Sequence, residues 1–419
     1  MNSLSKPKFS PLRSKKSSDL NLPVFSSFIF NQMKAKPSPI VLLVFAYLFA
    51  YFIFYFIPTF FTAEKMLVFE GIPRAHALGI DYQATINAAK DRFMIPYSPF
   101  VKLFFNFLGS YSFTGGFLFI TILSLISSVG SICLASIIFK KTDLKLFLFF
   151  LAVFLFSYSF LFEIERGQWN ITTIFLVLAS IYLSRKDWKI PALLLFAIAV
   201  SLKIYPLIFA PALIKDFRKL KDVAIMIMGV ILTNSCMYLM MGWSHFKWFL
   251  RIMTKFAETN YSWVGNHSIS SFVIFVNQES LKYLLFSIFL LILLSAFLIL
   301  LKSKRPYVGV HFASILAIGA CIIPSVSHDY KLTLLSFFIP FLFFSDTWGN
   351  KLQSGIRFLT AFFFFAIQYS YQNSDHTELS FVRNKLIILM IMSILILIDY
   401  FIEYRTERDL VITEHQLQS

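Results

Sequence analysis

The chain has 419 residues, of which 58% are hydrophobic, 18% aromatic and only 14% charged. So little polar material cannot cover a core of that size in water, which excludes an ordinary soluble globular protein. The net charge of +16 is spread over short loops rather than gathered in one patch, so it argues for positive-inside loops and anionic headgroups and against a nucleic-acid partner.

Residues 1–38 are basic and Ser/Pro-rich, without an apolar signal-peptide core, and are expected to form a disordered cytoplasmic tail. Apolar runs long enough to cross a hydrocarbon core then recur. They predict spans near 40–61, 115–139, 145–164, 168–184, 190–213, 222–242, 281–301, 308–326, 331–345, 355–372 and 385–402. The expectation is an all-α polytopic membrane domain over 39–403, with about 10–12 transmembrane helices, and a cytoplasmic C-terminal tail at 404–419. Cys133, Cys236 and Cys321 lie inside apolar runs, so neither a disulfide framework nor a zinc site is expected.

With the N-terminus placed in the cytoplasm, the loops on that side hold 24 of the 38 Lys and Arg residues, the bias that sets orientation. Segment 190–213 resists simple alternation because both its flanks are basic (Arg185, Lys186 and Lys189, then Lys215, Arg218, Lys219 and Lys221). It is expected to enter and leave on the cytoplasmic side as two short helices, the alternative being an ordinary tilted span with a kink. The turn falls at Lys203-Ile204-Tyr205-Pro206, where proline breaks the helix. Both termini are then cytoplasmic, with external loops at 62–114 and 243–280.

That topology brings four polar stretches to one external address: ERGQWN (165–170), SLKIYP (201–206), GNHS (265–268) and SHDYK (327–331). A charge at membrane depth costs roughly 2.5–3.5 kcal/mol, so such residues are expected to face a functional cavity.

In the first external loop, Tyr82, Ile86, Ala89 and Phe93 recur at helical spacing while Lys90, Asp91 and Arg92 take the other face. An interfacial amphipathic helix ending near Pro96 is predicted. Asp81 precedes it, suited to an N-cap and equally to a general base held in place by the helix it starts. In the second loop, Phe246, Phe249, Leu250, Met253 and Phe256 share one face and Lys247, Arg251 and Lys255 another, with Trp243, Trp248 and Trp263 as anchors. This helix either rests on headgroups or acts as a gateway for a phosphate-headed lipid.

Lys203, at a hairpin tip, reads as an anion-binding residue or as a lysine snorkelling to the interface. His328, Asp329, Tyr330 and Lys331 form either a solvated turn or a phosphate clamp with an orienting carboxylate. Glu165 and Arg166 can pair with each other, and the amides of Gln168 and Asn170 suit sugar hydroxyls. Glu163 and Glu165 form a Glu-x-Glu pair, but nothing else points to an oxygen-rich cation site, and no metal is expected. Walker, GxGxxG, HExxH and GxSxG motifs are missing, which argues against a nucleotide-driven pump or a soluble-type hydrolase.

The order Asp81 with Ala88-Ala89, then Gly167-Gln168-Trp169-Asn170, Leu202-Lys203-Ile204-Tyr205-Pro206, Gly265-Asn266-His267-Ser268 and His328-Asp329-Tyr330 resembles glycosyltransferase family 87. These are GT-C-type integral membrane enzymes related to the mycobacterial polyprenol-phosphate-mannose-dependent mannosyltransferase of phosphatidylinositol-mannoside synthesis. The resemblance runs from residue 40 to 345 and implies a GT-C-like fold. It also implies inverting transfer of one mannose-like sugar from a polyprenyl-phosphate donor to a lipid or glycan acceptor, on the outer face of the plasma membrane. No nucleotide, cofactor or metal is implied. Asp81 falls on the family's catalytic base, and Lys203 and Pro206 on its Lys-x-x-Pro. Lys203, His328, Lys331 and Arg166 are then expected to bind the donor phosphate. Gln168, Asn170, Asn266, His267 and Tyr330 would position sugar or acceptor, and Lys247, Arg251 and Lys255 would form the lipid gateway. The expected partners are the donor, the acceptor and membrane lipids around a monomer. The chain departs from the family pattern at Met94-Ile95-Pro96-Tyr97, which lacks a glycine, and in its basic N-terminal tail. Two other classes stand beside this reading. A polyprenyl-linked glycan polymerase or ligase would favour arginines at a pyrophosphate, and a lipid transporter would show paired broken helices in symmetry-related halves.

Overall fold

The computed structural model describes residues 39–51, 79–90, 98–140, 144–214, 220–240, 242–258, 266–303, 308–343, 351–369 and 385–418. The predicted tail at 1–38, residues 62–78 and 91–97 of loop 62–114 (Phe93 and Pro96 among them), and the anchor Trp263 lie outside them. The helices in chain order are α1 (Pro39–Tyr51), α2 (Ile80–Lys90), α3 (Pro99–Leu108), α4 (Phe113–Phe139), α5 (Leu144–Leu155), α6 (Tyr158–Arg166), α7 (Asn170–Arg185) and α8 (Lys189–Leu202). A 3-10 segment, Tyr205–Leu213, leads to α9 (Leu220–Met240), α10 (Trp243–Glu258), α11 (Ile269–Phe275), α12 (Ser280–Lys302) and α13 (Val310–Ile322). Two further 3-10 segments, Asp329–Phe337 and Ile339–Leu342, precede α14 (Lys351–Tyr369) and α15 (Lys385–Gln418). The protein is an all-α polytopic membrane protein. The predicted tail at 404–419 continues as helix to Gln418.

By length and composition alone, α4, α12 and the Lys385–Thr406 part of α15 are each able to cross a membrane among the described residues, and α5 with α6 makes a fourth as one bent span. The sequence leads one to expect more because several apolar runs are broken or short. α5 and α6 meet at a 52° bend, where Ser157 Oγ accepts from the Phe160 N–H and donates to the Phe154 carbonyl. The described part of the predicted span 331–345 winds as 3-10 rather than α-helix, and every residue from Asp329 to Phe343 is buried. Irregular backbone at that depth persists only when the protein itself surrounds it. Here it is enclosed by an aromatic core in which Phe337 meets Phe154 at 5.0 Å and Phe338 meets Phe209 at 5.2 Å.

Segment 190–213 doubles back as its basic flanks predict. α8 ends at Lys203, which takes extended backbone (φ −149°, ψ 146°), and the chain returns as a 3-10 helix beginning Tyr205-Pro206. Its far end is fastened beside its start, because Ser184 at the end of α7 donates to the Leu213 carbonyl. At that same end Arg185 donates to the Ile138 carbonyl at 2.5 Å and the Val308 carbonyl at 2.8 Å. Lys203 lies at the opposite end of α7, with its ammonium over the Trp169 ring.

A buried ionic cluster fixes α15 against its neighbours. Asp399 accepts from Arg357 Nε at 3.0 and 3.1 Å, from Gln353 Nε2 at 2.8 Å and pairs with His311 Nε2 at 2.9 Å. Removing Asp399 takes from Arg357 its nearest carboxylate and leaves only Glu403, at 4.0 Å. Asp399→Ala is therefore expected to destabilise the protein by about 3–5 kcal/mol, seen as a lowered Tm in detergent, with Asp399→Asn losing less.

Candidate active site

The site is built where α2 meets the turn between α6 and α7. Gly167 ends α6 in the left-handed conformation (φ 66°), a helix stop that glycine adopts without strain. A side chain there would also collide with α2, since a Cβ would lie 2.7 Å from Tyr82 Cβ. Gly116 of α4 does the same on the other flank, where a Cβ would lie 1.7 Å from Tyr82 Oη. Tyr82 is fully buried among Phe105, Phe113 and Phe117, and the Gly79 N–H donates to the Glu165 carbonyl at 2.7 Å. The predicted apolar face of α2 thus packs into the protein: Ile86 and Ala89 are buried beside Tyr82.

Asp81 therefore sits in the first turn of α2 rather than ahead of it. Its carboxylate turns to the α6–α7 turn: Oδ1 accepts from Arg166 Nη2 at 2.6 Å and Oδ2 from Gln168 Nε2 at 2.7 Å. The other end of the Gln168 amide, Oε1, accepts from Lys203 Nζ at 3.0 Å. Lys203 also stands 4.3 Å from the centre of the Trp169 ring, whose indole N–H donates to the Leu202 carbonyl. Arg166, expected at the donor phosphate, is engaged with Asp81 instead.

Glu163 explains why this turn is so well placed. It is fully buried, with Oε1 accepting from the Ile171 N–H at 2.8 Å and Oε2 from Thr333 Oγ1 at 3.0 Å. A carboxylate at the start of α7 satisfies its free N–H groups and favours the positive end of the helix. Glu163 thus caps α7. Among the described residues no three His, Cys, Asp or Glu come together as a ligand set. Asn170 is buried with neither amide atom hydrogen-bonded, and it does not line the cavity described below.

The other two polar stretches are fastened to each other. Asn266 forms an antiparallel bridge with His328, while its side chain donates to the Ser325 carbonyl and accepts from the Ser327 and Ser268 N–H groups. His267 pairs through Nδ1 with Asp329 Oδ1 at 3.3 Å and through Nε2 with Ser327 Oγ at 3.2 Å. The groups expected to hold a sugar at 266 and 267 are accordingly engaged in holding the loop. His328, expected to be a cation, is neutral: burial pushes its imidazole from the usual 6.5 down to about 3, helped by the charge of nearby Lys331.

Lys203 and Lys331 meet on the wall of a cavity of about 650 Å³. Lys331 Nζ donates to the Val326 carbonyl at 2.8 Å and lies 5.5 Å from the Tyr205 ring. Tyr330 also lines the cavity, and its ring packs on Phe162 at 5.8 Å. The remaining wall is largely apolar, including Leu207, Ile208, Phe249, Phe286 and Ile323. Ile204, Leu207 and Ile323 on this wall are exposed. Phe249 comes from α10, the predicted gateway helix, on which Lys247, Arg251 and Lys255 are exposed. Lys282 of α12 is a third lysine at the cavity that sequence reasoning passed over. Its only signal was a charge at the start of an apolar run.

The sequence matches the model of glycosyltransferase family 87 over residues 95–324 of 419. The chain belongs to glycosyltransferase family 87. No curated protein matches it. The matched span holds Gln168, Lys203 and Asn266 but neither Asp81 nor His328, so this family 87 member ties residues outside that span to the core ones by direct bonds.

Two outcomes test this geometry. Gly116→Ala drives a methyl into the Tyr82 hydroxyl and is expected to destabilise by about 1–3 kcal/mol, with sugar transfer falling alongside Tm and Tyr82→Phe restoring part of both. The unfolded chain protonates His328 near 6.5 and the folded one only near 3. Its stabilising contribution is therefore complete above 6.5 and is lost as pH falls toward 3. His328→Gln is expected to shrink the drop in Tm between neutral and acid pH.

Proposed function

We propose that this glycosyltransferase moves one mannose-like sugar from a polyprenyl-phosphate donor to a lipid or glycan acceptor at the outer face of the plasma membrane. The observation that carries this reading is the Gln168 side chain, bonded at one end to Asp81 and at the other to Lys203. A carboxylate and a cavity-lining ammonium are thus held one amide apart, as a displacement at a sugar–phosphate bond requires.

Asp81 acts as general base. Each of its oxygens has one lone pair committed, to Arg166 or to Gln168, and a second with which to take the acceptor's hydroxyl proton. The acceptor oxygen then bonds to the anomeric carbon as the bond from that carbon to the phosphate oxygen breaks, with inversion. The electron pair leaves with polyprenyl phosphate, and its charge is met by Lys203 and Lys331. Preorganised charges of this kind are the largest catalytic contribution in many enzymes because they need no reorganisation as the bond breaks. His328 is not on the cavity wall and, being neutral, adds no charge there. The apolar wall receives the first part of the prenyl chain, and the basic face of α10 draws in the phosphate headgroup.

The test is mass spectrometry of products from purified protein offered a panel of polyprenyl-phosphate sugars. Asp81→Asn is expected to lower turnover by about 10²–10⁴-fold while still binding donor. Near wild-type turnover in that variant overturns the base assignment. Product formed only from diphosphate-linked sugars replaces the reading with a polymerase or ligase.

Removing the leaving-group cation with Lys203→Met is expected to lower kcat by about 10²–10³-fold in steady-state transfer assays. A change confined to KM would place Lys203 in binding alone.

A further inference from the structure

Lys385 is the first residue of α15 and belongs to none of the four polar stretches, yet it is 1% exposed and makes the shortest contact of their second half. Its Nζ lies 2.6 Å from Asp329 Oδ2, while Asp329 Oδ1 faces His267 Nδ1 at 3.3 Å. Asp329 is equally buried, so both its oxygens are committed inside the protein and neither is available to a substrate. The same ammonium stands 5.4 Å from the Tyr158 ring. Tyr158 stacks on Phe162 at 5.5 Å, Phe162 packs on Tyr330, and Arg166 lies 5.7 Å from the centre of the Phe162 ring. Tyr158 and Phe162 thus link two cations, one tied to Asp329 and the other to Asp81.

We propose that Lys385 is a positioning residue for the donor phosphate: by fixing Asp329 and the Tyr158–Phe162–Tyr330 stack, it holds the cavity wall that carries Lys331. Two routes run from it to that wall. One passes through Asp329 to His267 and Ser327, and so to the loop from Ser325 to Lys331, whose backbone is closed by the Lys331 N–H donating to the His328 carbonyl at 2.8 Å. The other passes through the rings to Tyr330. Lys331 follows Asp329 by two residues on a 3-10 turn, so a shift of the aspartate carries the lysine with it. The role follows from charge and packing together. A carboxylate in an apolar interior stays in place only beside a permanent cation, and an ammonium against aromatic faces is held in both distance and direction.

This inference rests on the reading that the cavity takes a polyprenyl phosphate, and its test separates the two. The full chain in detergent is titrated with undecaprenyl phosphate, and binding is followed through the fluorescence of its tryptophans, which include Trp169 beneath Lys203. Wild type is expected to bind, and Lys385→Arg nearly as well. Lys385→Met is expected to bind about tenfold more weakly, as loss of a coupled buried contact predicts. Because that variant leaves Asp329 uncompensated, Asp329→Asn/Lys385→Met is measured beside it. The double variant carries no stranded charge and is expected to keep Tm near wild type while affinity stays about tenfold down. Wild-type affinity in the folded double variant overturns the positioning role and leaves the pair a purely structural tie. If wild type itself fails to bind undecaprenyl phosphate, the substrate reading falls and this inference with it.

Discussion

A charge inside an apolar interior has to be paired, and the site end of this protein is arranged around that requirement. Transferring an ion there without a partner costs several kcal/mol even after the surroundings relax. Asp81 is held by Arg166 and Gln168, Gln168 in turn by Lys203, and Asp329 by Lys385 and His267. These bonds cross between segments far apart in the chain, joining α2 to the α6–α7 turn, that turn to the hairpin tip, and the loop after α13 to the start of α15. The ion pairs are therefore also the connections that define where the helices end relative to one another. Stability and site geometry share the same few bonds.

Broken helices are the second consequence. A regular helix satisfies its own backbone and presents only side chains, whereas a break frees N–H and C=O groups that need partners. Here the freed groups are met by polar side chains. Glu163 takes the first N–H groups of α7, Ser157 caps α6, and Asn266 and Ser268 take the Ser325 carbonyl. The hairpin tip at Lys203 and the turn after α13 bring two lysines to one cavity because neither segment continues as an α-helix. Two lysines approaching one anion are repelled when it is absent. Their neighbours, a tryptophan ring for Lys203 and a tyrosine ring for Lys331, favour each cation.

The chemistry divides along the same lines. The half of the site around Asp81 is partly exposed and suits a hydroxyl acceptor arriving from water or from the interface. The half around Lys203 and Lys331 opens into an apolar cavity and suits an amphiphile with an anionic head. The Gln168 amide separates and registers the two. On the proposed reading this division separates the base from the leaving-group cations, with Arg166 on the carboxylate.

The fold class was readable from composition because hydrophobicity and span length are local, additive quantities. So was the turn at Lys203, since basic flanks on both sides of 190–213 favoured a hairpin over a kinked span. Asp81, Gln168, Lys203 and Lys331 were legible as charged or amide groups where apolar sequence makes them costly. The partnerships were not. Arg166 goes to Asp81, 85 residues away, and Lys385 to Asp329, 56 residues away. Nor did the pattern show that His267 and Asn266 are engaged within their own loop, that Glu163 caps a helix, or that residues 329–343 wind as 3-10. Each of these depends on which groups remain unsatisfied once the helices have packed. Sequence alone determined which residues were too polar for a membrane interior. Only the tertiary structure decided which of them answer one another and which remain to meet a substrate, because pairing is settled by distance in three dimensions.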